Sequence, residues 1–210
     1  DGGSIILSWE TPEEVAPEPP AIYTNVYRRP YNDSVEQPWE LIGVNQRPSD
    51  SLIDYTPANN LVYQYKVVNY SELLTSSESE VIEGKVDFSH AFLHRASVPT
   101  DLIPITSGDS REQTIDNHGK EMYFSNRRLP MFEFGISMTN NLTISWVIDT
   151  IEDFRLHLEF IQRKETFLYR DNNGRRFYCV LRNPKITDRA VSGFEFSVEL
   201  LEVDYQGGLV

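Results

Sequence analysis

Apolar and polar residues alternate along much of this chain, and the alternation predicts strands. Ile5, Leu7 and Trp9 share one face of a strand over residues 4–9. In the strand over 21–29, Tyr23, Asn25 and Tyr27 take one face and Ile22, Thr24, Val26 and Arg28 the other. Further strands are expected over 39–43, 51–55, 61–70 and 79–86, with an acidic, proline-rich loop over 11–20 and the turn Pro57-Ala58-Asn59-Asn60 between them. Short strands punctuated by turn residues at near-regular spacing indicate a β-sandwich.

The remainder changes character. Phe88-Ser89-His90-Ala91-Phe92-Leu93-His94 opens it, and the polar stretch 106–120, with Ser107-Gly108-Asp109-Ser110 and Asn117-His118-Gly119, has the chemistry of turns and loops. Strands are expected over 121–125, 131–136 and 141–148. Thr150-Ile151-Glu152-Asp153 resembles a capping box, and Phe154, Leu158 and Ile161 follow at helical spacing. A helix is therefore expected near 150–163, with acids in its first turn and Arg163-Lys164 in its last. The alternation of Phe154, Leu156, Leu158 and Phe160 leaves a strand as the alternative. Residues 167–180 read as a hairpin whose turn ends in Asn173-Gly174, two residues that tolerate positive φ. Residues 193–205 alternate as a further strand.

Charge sharpens the division between the two parts. Residues 1–86 carry 14 acids against 5 bases, and the rest 18 against 14. A boundary near Asp87 gives domains of 1–86 and 87–210. The net charge of −13 argues against nucleic acid, whose phosphates need Lys and Arg, and against an anionic membrane surface. No apolar run reaches the ~18–20 residues of a membrane span and no signal peptide is visible. The start at Asp1 without Met suggests a processed or excised product. Cys179 is the sole cysteine, which leaves no intrachain disulfide. Its place beside Phe177 and Leu181 on one strand face predicts a buried free thiol.

Candidate chemistry is sparse. His90 and His94 are four apart, as zinc ligands on one helix face can be, but no Glu follows His90 and no third ligand stands out. Glu133 between Phe132 and Phe134 is the best isolated acid, although alternation points it outward. No nucleophile elbow, phosphate loop or dinucleotide fingerprint occurs. Asp171-Asn172-Asn173-Gly174 fits a hairpin turn better than a calcium loop, because no acid follows where the bidentate ligand should fall. Sequons occur at Asn32, Asn69 and Asn141. Arg28-Arg29, Arg127-Arg128, Arg163-Lys164 and Arg175-Arg176 are the basic pairs. No catalytic residue, metal or cofactor is expected.

Two resemblances add to this reading. Ser4-Ile5-Ile6-Leu7-Ser8-Trp9 and Asn60-Leu61-Val62-Tyr63-Gln64-Tyr65-Lys66-Val67 resemble strands of a fibronectin type III module. That resemblance implies a core role for Trp9, a corner hydrogen bond for Tyr63, and a module whose usual first strand is missing. The hairpin Tyr169-Arg170-Asp171-Asn172-Asn173-Gly174-Arg175-Arg176-Phe177 and the later Val203-Asp204-Tyr205 resemble the C-terminal portion of tail and baseplate proteins of long-tailed bacteriophages. Together they imply a mainly β chain: a fibronectin type III-like sandwich, then a tail-tube- or baseplate-like sandwich or barrel with one helix. The implied function is non-enzymatic, a ring component located in the virion tail and assembled in the bacterial cytoplasm. Its partners would be other copies or other tail proteins, contacted through Arg170, Asp171, Arg175 and Arg176 at a protruding hairpin tip. The alternative is an extracellular module that binds a host-surface glycan or receptor, with Tyr23, Tyr27, Tyr31 and Trp39 supplying aromatic faces.

Overall fold

A computed structural model describes residues 3–11, 19–73, 75–106, 110–123, 125, 128–189 and 193–205. The acidic loop over 12–18, Ser107-Gly108-Asp109, Arg127 and the side chains of Phe132 and Phe134 lie outside the described residues. The chain is mainly β, in several antiparallel sheets with one helix, and no sheet closes into a barrel among the described residues. It divides into two compact units. The first comprises residues up to Leu102 together with Leu168–Arg176, and the second comprises Ile103–Phe167 and Phe177–Tyr205.

In the first unit, β1 (Ile5–Trp9) pairs antiparallel with β4 (Asp50–Asp54). A second sheet runs β3 (Glu40–Gln46), β2 (Ala21–Pro30), β5 (Val62–Ser71) and β6 (Ser76–Glu78), with β7 (Ile82–Lys85) also paired to β5. The alternation expected in β2 holds from Tyr23 onward: Thr24, Val26 and Arg28 are buried, whereas Tyr23, Asn25 and Tyr27 sit half-buried on the opposite face. Ile22, expected with the buried set, is exposed where the pairing with β5 shifts register. Leu7, Val26, Ala58, Tyr63 and Tyr65 form the core, packed by Ile5, Trp9, Ile42 and Leu52. Trp9 is only half-buried, because it ends its strand and its Nε1 donates to the Arg47 carbonyl at 3.2 Å.

The division into units falls elsewhere than at Asp87. Val86, Phe88 and Phe92 form a second cluster with Ile5 and Leu102, so the chain after Asp87 packs into the first unit. Asn59 holds it there: its Oδ1 accepts from Phe88 N (2.8 Å) and its Nδ2 donates to the Phe88 carbonyl (3.0 Å). His90 precedes and His94 lies on β8 (Ala91–Arg95), a strand and not the helix face that zinc spacing would need. β9 (Leu102–Ile105) follows it.

The second unit orders its strands β10 (Ser110–Met122), β11 (Met131–Ile148), β14 (Phe194–Glu202) and β13 (Arg176–Asp188). Two expectations are corrected here. Residues 110–120 form strand and not loop, and β11 runs unbroken where two strands were expected. α1 (Ile151–Ile161) begins as the capping box requires, with Thr150 Oγ1 accepting from Asp153 N at 3.1 Å. It ends at Ile161, so Arg163 and Lys164 lie beyond its last turn. Phe154, His157, Phe160 and Ile161 face inward from the helix. Phe154 packs on Phe194 and Phe196, while Trp146 stacks on Phe196 with ring centroids 5.5 Å apart. Cys179 is buried as expected, and burial pushes its thiol well above the ordinary range.

Gly193 starts β14 at φ +80°, and a Cβ there would stand 2.4 Å from the Ile148 carbonyl oxygen. Gly193→Ala should therefore cost about 1–3 kcal/mol. Thermal denaturation checks this, and an unchanged midpoint would contradict the turn geometry.

Candidate functional site

The hairpin residues singled out by the sequence do not form a protruding tip. The turn itself is as expected: Gly174 has φ +84°, its N–H donates to the Asp171 carbonyl (3.1 Å), and Asp171 N donates to the Arg175 carbonyl (3.1 Å). β12 (Phe167–Arg170) leads into that turn beside β8. Yet Arg170 and Asp171 are fully buried, and Arg175 and Arg176 are half-buried. The physical reason is hydrogen bonding. Asp171 Oδ1 accepts from Asn173 N and Arg175 N, each at 3.0 Å, and Oδ2 accepts from Tyr169 Oη (3.2 Å) and Arg175 Nη1 (2.9 Å). The carboxylate organises its own turn in place of facing solvent.

Arg170 is held as firmly. Its Nη1 donates to the carbonyls of Gly3 (2.9 Å) and Pro57 (2.7 Å), and its Nε and Nη2 both point at His94 Nε2, at 3.1 and 3.0 Å. The rings of Phe88 and Phe92 lie 5.1 and 5.4 Å from the guanidinium carbon. This arrangement fixes the histidine tautomer: Nδ1 carries the proton and donates to the Pro99 carbonyl (2.7 Å), leaving Nε2 as acceptor. Burial, then the adjacent Arg170 charge, push the His94 pKa down to about 4. Burial likewise lowers Arg170 to about 10, which still leaves it charged at neutral pH.

A second buried network begins three residues before Pro57, at Asp54. Arg28 donates through Nη1 to Asp54 Oδ2 (2.7 Å) and Thr56 Oγ1 (2.6 Å), and through Nη2 to Glu40 Oε2 (2.6 Å). Burial alone would raise the Asp54 carboxyl, but Arg28 and the two Thr56 donors outweigh it and hold the pKa below the usual range. Tyr65 Oη also donates to Asp54 (3.1 Å), and Tyr63 Oη accepts from Ala58 N (3.1 Å). Arg176 Nε closes the set on the Thr56 carbonyl (2.8 Å), and Asn59 Nδ2 reaches the Asn172 carbonyl (3.0 Å). Every one of these groups is spent on another protein group. The arrangement presents no nucleophile with a base and no open cation site, and no three potential ligands cluster among the described residues.

The aromatic candidates are engaged too. Tyr23 and Tyr70 stack on one another at 4.9 Å, and Arg29 and Lys66 lie 4.4 and 4.9 Å from the Trp39 ring. Tyr31 donates its hydroxyl to Asp33. A sugar would have to displace these contacts. Glu133 is exposed, as alternation implies.

The surface that sequence reading missed is an arm. β11 pairs with β14 only from Asn141 to Ile148, yet its pairing with β10 continues from Asn140 out to Met131. Over that outer stretch two strands stand alone. On β11 the row Ile148, Trp146, Ile144 and Leu142 faces the core; beyond it polar Asn140 and then Met138, which is 66% exposed, follow on the same face. Ile115, opposite Asn140, is 57% exposed. Tyr123, Leu129 and Met131 are exposed nearer the end. The available signal in the sequence is the lack of proline from 110 to 122.

No protein-family model matches the chain, and no curated protein matches it in sequence. Among the described residues, no helix is long and apolar enough to cross a membrane.

The His94–Arg170 contact makes stability depend on acid. A folded-state pKa of about 4 against the ordinary 6.5 means that the unfolded chain takes up the proton first. The stabilisation is complete above pH 6.5 and is lost as pH falls through about 4, amounting to about 3 kcal/mol. Burial lowers His157 as well, against the opposing charge of Asp153, so it contributes with the same sign. Urea denaturation at a series of pH values checks the slope. His94→Asn should lower stability at pH 7 but flatten that slope, and an unchanged slope would sink the assignment.

Proposed function

We propose that this chain is a non-enzymatic structural component of a long-tailed phage tail or baseplate, assembling into rings through its C-terminal β unit. The arm carries the reading. An isolated two-stranded ribbon is marginal in water, and this one carries a short row of exposed apolar side chains, Met138 and Ile115, on one face beyond the sheet that supports it. Cover from neighbouring copies would remove that cost, since self-assembly buries such a row repeatedly around a closed symmetry. The hairpin and closing strand that resemble tail proteins support the same reading.

The first unit fits a fibronectin type III-like module that extends or decorates the ring. Its strand order, β1-β4 in one sheet and β3-β2-β5-β6 in the other, supports this, as does the Tyr63 hydroxyl bonded to Ala58 N. The glycan-binding alternative gains no comparable support, because the aromatic faces it needs already hold protein groups.

Light scattering tests the proposal. The intact chain should form discrete assemblies whose mass is a multiple of 24.3 kDa. Replacing the arm beyond Thr114 and Asn141 by a two-residue Asn-Gly turn should abolish them while leaving the thermal midpoint within a few degrees. A monomer at all concentrations would overturn the reading.

A further inference from the structure

We infer that the outer edge of β10 pairs antiparallel with the β10 edge of a second copy, about a twofold axis passing through Asp116. This names the partner surface of the arm and rests on the assembly reading above. β10 spans Ser110–Met122 and stands last in its strand order, so alternate backbone N–H and C=O groups along one side point away from β11. Such an edge is a template for another strand unless it is blunted. β10 contains no proline, and the irregularity in its pairing opposite His118 is an excess of residues 135–137 on β11, while β10 stays strand throughout. Its charged side chains, Arg111, Glu112, Asp116, Lys120 and Glu121, are of both signs and so admit a partner of matching pattern.

Charge chooses both the occupant and the register. Residues 110–141 hold four acids and four bases, in a chain whose net charge is −13. Two arms can therefore approach where the bodies of two copies repel. With Asp116 on the axis, Glu112 of one copy faces Lys120 of the other and Arg111 faces Glu121, and both pairs occur twice. Thr114 faces His118, and Ile115 faces Asn117. A slip of one residue one way sets Arg111 against Lys120, and a slip the other way sets Glu112 against Glu121. Opposed like charges penalise both of these slips. Slips of two residues, which keep the faces, lose both the Glu112–Lys120 and the Arg111–Glu121 pairs, so this register holds the most opposite-charge pairs. Its single cost is Asp116 facing its own copy across the axis, where each His118 lies 3.8 Å from its own Asp116. A twofold contact does not close a ring by itself; it joins two rings face to face, so the assembly should contain an even number of copies.

The test is a cysteine at the axis. Directly opposed residues of antiparallel strands have Cα atoms about 4.5–5.5 Å apart, within disulfide reach. Asp116→Cys should give a disulfide-linked dimer of the full chain on mild oxidation. Thr114→Cys alone should not, whereas a mixture of Thr114→Cys and His118→Cys should. Cys179 is buried and does not compete. In the cysteine-neutral background, Asp116→Asn should tighten the dimer by up to roughly fivefold. Lys120→Glu should weaken it roughly tenfold, and Glu112→Lys combined with Lys120→Glu should restore it. Assemblies that form in light scattering with no Asp116→Cys cross-link above the Thr114→Cys level, or that ignore the charge swap, would overturn the edge pairing and leave the assembly reading standing. A monomeric wild-type chain would overturn both.

Discussion

A guanidinium taken out of water without a carboxylate beside it must be satisfied by whatever surrounds it. Among the described residues Arg170 achieves this with two backbone carbonyls, a neutral imidazole and two aromatic rings. Each of those partners is itself committed. Pro57 lies in the segment that also supplies Asp54 and Thr56 to Arg28, Ala58 to Tyr63, and Asn59 to Phe88 and Asn172. His94 is fixed through Pro99. Removing one member of such a set exposes the others to the full cost of an unmade hydrogen bond, so the network holds as a whole or opens as a whole. Local acids and bases thereby serve the packing of the first unit, which is why the loop after Asp87 and the hairpin 168–176 belong to it.

Regular elements were legible because their physics is local. The period-two row of β2, the Thr150 cap and the lone cysteine on an apolar strand face all follow from neighbours in sequence. Polar residues misled in two opposite ways. Around the hairpin, Arg170 and Asp171 looked like solvent-facing charges, yet their partners are backbone groups more than a hundred residues away or within the turn itself, which no pattern of side-chain types reveals. Along β10, an arm exposed on both faces shows no alternation, so its polarity read as loop. Alternation reports a buried face, and strand without a buried face is invisible to it. The unbroken β11 follows from the same cause, since Thr139, Asn140 and Asn141 are polar where the arm leaves the sheet.

The two regions divide the work of the chain. In the first unit buried charge is satisfied within the fold, Arg28 by Asp54 and Glu40 and Arg170 by carbonyls and an imidazole. In the second unit β10 and β11 run on beyond β14 as a ribbon of balanced charge that leaves Met138 and Ile115 exposed.

Native-state hydrogen exchange tests the central claim most directly. The amides of Phe88, Ala58, Asn173 and Arg175 donate to Asn59, Tyr63 and Asp171 side chains around the Arg170 cluster. If that cluster opens as one unit, all four should exchange with the same opening free energy and the same denaturant dependence. Exchange of Asn173 and Arg175 through a separate, low-energy opening, with Phe88 and Ala58 still protected, would contradict it.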